Sequence, residues 1–168
     1  MILSVPAAEF VLLCDYITCQ LAVELCNQYK NDSAMATVFT KIINGEIPSW
    51  KIAENDLFYS FLDIRPISKG HTLVVPKQET DYIFDLDDGL LGDMMVFSKS
   101  IAHAIDRALT PIRTGIVVEG LEVPHAHIHL VPIYDKKQQV ALGNNITVPD
   151  EQMKELSDRI RKEWESAS

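Results

Sequence analysis

Cysteine is confined to one end of this chain. Cys14, Cys19 and Cys26 fall within the first 30 residues, and the remainder has none. A disulfide framework for the body of the chain is excluded, and the usage fits a reducing compartment. Positive charge is also scarce: 15 Lys and Arg against 24 Asp and Glu leave a formal net charge of -9. Such a balance excludes a large nucleic-acid footprint, which needs clustered basic residues. It does not exclude a small phosphorylated ligand, because a pocket supplies its own local potential. No apolar run reaches the roughly 18 residues of a membrane-spanning helix. The start of the chain lacks a basic segment, and Glu9 and Asp15 interrupt its apolar stretch, so it does not read as a secretion signal. The expectation is a cytoplasmic protein with neither nucleic acid nor membrane as partner.

The 168 residues suit one domain with a sizeable core. Residues 1–34 differ from the rest. Residues 7–29 have the pattern of an apolar helix, and Asn31-Asp32-Ser33 reads as a break. This stretch is read as an extension, either poorly integrated or translated from an upstream start, rather than as a docking helix. The domain is expected over residues 35–168.

Within it the order of elements is legible. A short helix is predicted over residues 37–44, with Gly45 as its left-handed cap. Strands are predicted over 50–54 and 57–63, joined by Asn55-Asp56, and a third over 71–76. Asp87 or Asp88 can cap a long helix whose stripe is Leu90, Leu91, Met94, Met95, Ile101, Ala102, Ile105 and Leu109. Strands follow over 112–119 and 125–131, then a polar loop over 134–145. Pro149 and Asp150 open a last helix with Met153, Leu156, Ile160 and Trp164 on one face. Its pairs four apart are Glu155 with Arg159 and Asp158 with Lys162. The class is α+β: a five-stranded antiparallel sheet with a main helix packed across it.

The strongest chemical signal is Val123-Pro124-His125-Ala126-His127-Ile128-His129-Leu130-Val131-Pro132. In an extended chain, residues two apart share a face. Three imidazoles therefore line one side, and Ala126, Ile128 and Leu130 the other. A purely structural role fits poorly, since each buried imidazole needs hydrogen-bond partners. One chemical reading is a metal site, with His71 or His103 as the further candidate ligand. The other is nucleophilic catalysis. A neutral imidazole can attack phosphorus and form a covalent intermediate, while its neighbours hold its tautomer and protonate the leaving group.

These residues resemble the histidine triad (HIT) family. Its pattern is His-x-His-x-His with apolar residues between. The likeness extends from Val38-Phe39-Thr40-Lys41-Ile42-Ile43-Asn44-Gly45-Glu46-Ile47-Pro48, through Phe61-Leu62-Asp63-Ile64 and Pro66, to Gly70-His71-Thr72-Leu73-Val74-Val75-Pro76-Lys77. It runs from about Met35 to Pro132, with the motifs in family order. The resemblance implies a HIT-like α+β fold, often a homodimer. It also implies hydrolysis at the α-phosphate of a purine nucleotide conjugate, a phosphoramidate or a dinucleoside polyphosphate. By the same match His127 is the nucleophile, forming a nucleotidyl-histidine intermediate. His125 orients the site, and His129 contacts the phosphate and assists the leaving group. Asp63 matches the acid that binds the ribose hydroxyls. Val38, Phe39, Ile42, Phe61, Ile64 and Leu73 match the apolar base pocket for an AMP-type substrate.

Three departures refine this. Where some members carry Cys-x-x-Cys, this chain has Thr37-Val38-Phe39-Thr40, so no structural zinc and no cofactor are expected. The last triad residue is His129 rather than the glutamine of the uridylyltransferase branch, which favours a hydrolase. Glu122 stands where a hydroxyl residue is usual in the phosphate loop. A carboxylate there repels phosphate unless it is protonated or turned away. That motivates an alternative: a nucleotide-binding regulatory protein with weak or no catalysis.

Overall fold

The computed structural model describes residues 36–167. The helix expected over 7–29, and the reading of residues 1–34 as an extension, lie outside the described residues. The described residues begin with helix α1, Val38–Ile43, whose N-cap Thr37 accepts a hydrogen bond from the Thr40 N–H. Asn44 closes it, and Gly45 follows at φ +77°, in the left-handed region expected of it.

Five strands follow: β1 Lys51–Glu54, β2 Phe58–Leu62, β3 Thr72–Pro76, β4 Arg113–Val117 and β5 Ile128–Ile133. All neighbours are antiparallel, in the order β1-β2-β3-β5-β4. All five strands are shifted at one end or both from their predicted bounds, two of them by more than one residue. β4 is shorter than 112–119. β5 begins at Ile128, so His125 and His127 lie in the extended approach to the strand and only His129 is in the ladder, opposite Leu73. The approach has other partners: the Ala126 N–H donates to the Thr80 carbonyl at 2.6 Å.

Helix α2, Asp88–Leu109, is capped by the Asp87 side chain, which accepts from the Leu90 N–H. Met94, Ile101 and Ile105 of the predicted stripe are buried, joined by Phe97, Ala104 and Ala108. Met95 is exposed instead, because it falls one position past the buried row. Helix α3, Asp150–Glu165, buries Met153, Leu156 and Ile160 and sets Trp164 against Phe97 at 6.3 Å between ring centroids. Its Glu155–Arg159 pair forms, but Asp158 pairs with Lys154 and Arg161 rather than with Lys162.

Both long helices cover one face of the sheet. Ile52, Phe58, Leu62, Val74, Ile128 and Leu130 meet α2 and α3 there in one apolar cluster. The alternate residues of the same strands, Tyr59, Phe61, Leu73 and Val75, form a second cluster on the other face with Phe39 of α1. The expected α+β arrangement is thus found, and its second face is the one the histidines join. Among the described residues no helix is long and apolar enough to cross a membrane.

Candidate active site

Alternation in the extended approach puts Ala126, Ile128 and Leu130 into the helix-covered cluster and the three imidazoles on the opposite side. Phe39 packs edge-on against His125 and His127, with centroids 5.8 and 5.2 Å away. The rings of His127 and His129 stand 4.7 Å apart at 64°, so the imidazoles share a face without being coplanar.

Each ring's partners fix its tautomer. The His125 Nε2–H donates to the Pro76 carbonyl at 2.9 Å, and its Nδ1 accepts from the Thr37 hydroxyl at 2.8 Å. Fully buried, His125 is held neutral: burial lowers its pKa, outweighing the opposing pull of that carbonyl and of Glu79. Its own carbonyl accepts from the His127 Nδ1–H at 2.7 Å. A carbonyl can only accept, so the proton of a neutral His127 lies on Nδ1 and the lone pair on Nε2. Among the described residues that Nε2 has no hydrogen-bond partner.

His129 is held differently. The Ile67 N–H donates to His71 Nδ1 at 3.3 Å, which places the proton of His71 on Nε2. That Nε2–H donates to His129 Nδ1 at 3.0 Å, leaving His129 with its own proton on Nε2. Burial is the main reason that His129's pKa falls to about 3, with His127 and His71 adding to it. Burial likewise lowers the pKa of His71, although Asp63 opposes this. The 3.5 Å approach of His71 Nδ1 to Asp63 Oδ2 is therefore not an ion pair at neutral pH.

His71 is a residue that sequence reasoning weighed only as a further metal ligand and left out of the catalytic set. It is 1% exposed and enters from the loop before β3. Gly70 makes that entrance possible: its φ is +83°, and a Cβ there would fall 2.3 Å from Leu109 Cδ1. Asp63, His71 and His129 also offer donor atoms within 4.8 Å of one another, a group able to approach a metal ion in which the sequence reading anticipated His71 as a ligand but not Asp63. The His71 ring stands between the other two, however, with one nitrogen toward each. With the His71 proton on Nε2, the link to His129 carries a hydrogen bond and the approach to Asp63 does not.

These side chains open into a cleft of about 340 Å³. Val38, Phe39, Ile42, Phe61, Asp63, Ile64 and Leu73 all line it, as do His71, His127 and His129. His125 lies behind the lining. Phe39, Phe61 and Leu73 are at once core and wall, whereas Ile64 is 73% exposed at the rim. Asp63 serves a turn, its Oδ1 accepting from the Arg65 N–H at 2.8 Å, and still faces the cleft. Glu122 also lines the cleft, with its carboxylate in an ion pair with Arg65.

The chain matches the HIT domain model over residues 44–136 and belongs to that family. It is 37% identical over 131 residues to an uncharacterised HIT-like protein of Borreliella burgdorferi, covering 73% of this chain and 94% of that one. It is also 37% identical over 109 residues to an adenosine 5'-monophosphoramidase of Saccharomyces cerevisiae, covering 64% of this chain and 69% of the relative. In structure it resembles a zinc-bound histidine triad family protein from Mycobacterium smegmatis, with TM-score 0.69, 29% identity and coverage of 80% and 99%.

Proposed function

We propose that this protein hydrolyses a purine nucleotide conjugate at its α-phosphate, through a nucleotide covalently held on His127. The observation that carries this is the lone pair on His127 Nε2, which faces no partner in a cleft where His129 Nε2–H also stands. The monophosphoramidase relative supports the reading. In the first step Nε2 of His127 forms a bond to phosphorus. The bond to the leaving group breaks, and the departing atom, which accepts a hydrogen bond from His129 Nε2–H, keeps its electron pair and takes a proton from water, leaving hydroxide. In the second, the hydroxide oxygen bonds to phosphorus, and the His127–phosphorus bond breaks to release the nucleotide. His71 keeps the His129 proton on Nε2 for the first step, and His125 keeps the His127 lone pair on Nε2. Asp63 accepts from the ribose hydroxyls, and Val38, Phe39, Ile42, Phe61, Ile64 and Leu73 hold the base.

The alternative of binding without turnover was motivated by Glu122. Its ion pair with Arg65 turns the carboxylate aside, which removes much of that motive. Incubation with adenosine phosphoramidate and diadenosine polyphosphates tests the reading: AMP is expected from the unmodified protein and not from His127→Ala. AMP binding without release from any substrate would instead favour the regulatory protein. The same proposal includes a homodimer. β4 is an edge strand, and Ile112 and Ile116 along it are exposed, as is Val96 on α2. Sedimentation equilibrium is expected to give twice the chain mass, and Ile116→Lys to shift it towards the monomer.

A further inference from the structure

A second cavity, of about 150 Å³, adjoins the cleft. Glu119, Gly120 and His127 line both. Gly120 adds no side chain to that shared rim, and nothing stands within 4 Å of where a Cβ would project. Beyond the rim the wall carries Asp81, Tyr82, Phe84 and Val118. Two carboxylates therefore line a space that, among the described residues, no Lys or Arg lines.

Tyr82 and Phe84 meet edge to face at 5.3 Å, yet they are 53% and 70% exposed. Two large aromatic side chains left this open beside a buried reactive group are unspent recognition surface. His127 is that group. It is only 4% exposed, and its unpartnered Nε2 belongs to a ring that borders both cavities. Aromatic faces combined with carboxylates attract organic cations and repel phosphates. Arg65, the one Lys or Arg among the described residues that lines the main cleft, is paired with Glu122 and does not line the second space.

We propose that the second cavity is the leaving-group subsite and that it takes an organic cation: an amine, joined to phosphorus through nitrogen, whose substituent carries an ammonium group. The inference rests on the hydrolase reading. As the His127–phosphorus bond forms, the phosphorus–nitrogen bond breaks. The amine nitrogen keeps the bonding pair and takes a proton from water, whose hydroxide later displaces His127 from phosphorus. The ammonium end is held between Asp81, Glu119 and the two rings.

Three adenosine phosphoramidates with the same short alkyl chain, ending in an ammonium, a hydroxyl or a carboxylate group, test this. The kcat/KM of the ammonium form is expected to exceed that of the carboxylate form about tenfold or more. Asp81→Asn and Phe84→Ala, both at exposed positions, are each expected to cut that ratio about two- to fivefold. Equal values for the three substrates, or a ratio unchanged in both variants, would overturn the subsite. Release of AMP from none of them would overturn the hydrolase reading instead. The subsite would then be read by competition against labelled AMP: tighter binding of the ammonium form sustains it, and equal binding of the two charged forms overturns it.

Discussion

The two faces of the sheet are built from alternate residues of the same strands, and both bury side chains completely. Val74 and Ile128 on the helix-covered face are 0% exposed, and so is His125 on the other. What differs is the kind of closure. The helix-covered face is closed mainly by volume, Phe58 stacking on Phe97 and the aliphatic side chains filling most of the rest, with the hydroxyls of Ser60 and Ser98 buried among them. The cleft face is satisfied by hydrogen-bond arithmetic, each imidazole having a partner that dictates where its proton lies. Burial is common to both faces. Only the second converts it into chemistry, because a buried neutral imidazole offers either a lone pair or a proton.

Four changes sharpen that contrast. The largest effect is expected on the cleft face. His127→Ala removes the lone pair and lowers kcat by a factor of about a thousand or more, read as AMP release. On the helix-covered face Ile101→Ala leaves a void and costs about 2–5 kcal/mol in urea unfolding, with AMP affinity retained by the folded fraction.

The third change is of pH. His71, His125 and His129 all have pKa values lowered by burial. Below about pH 6.5 the unfolded chain takes up protons that the native state refuses. Stability is therefore expected to be unaffected by these groups above that pH and to fall as pH drops towards 3. Each group contributes a slope of at most about 1.4 kcal/mol per pH unit. Thermal melts between pH 7 and 4 check this, and His129→Asn is expected to flatten the curve. The smallest effect belongs to the exposed Arg65–Glu122 pair. Glu122→Gln should change stability by less than about 1 kcal/mol.

The same contrast explains what was legible in the sequence. Periodicity located the helices and strands, and His-x-His-x-His with its intervening apolar residues announced both faces at once. The element ends shifted where loop partners, such as Thr80 for Ala126, replaced the ladder. His71 was open to the same logic. It alternates with Leu73 and Val75, which lie on the cleft face, so its parity alone would have placed it beside the triad. Other features carry no local signal. Leu142, Gly143 and Asn145 reach the cleft from a polar loop, and Arg65 meets Glu122 across 57 positions of chain. Glu122 in isolation reads as repulsive to phosphate, whereas its partner is known only once the chain is folded.

The covalent step is the centre of the account, and stereochemistry tests it most directly. An adenosine phosphoramidate made chiral at phosphorus by sulfur substitution is hydrolysed in isotopically labelled water, and the configuration of the product is read. Two successive in-line displacements, first by His127 and then by water, predict net retention. Inversion would mean that water attacks the substrate directly, and His127 would then not be the nucleophile.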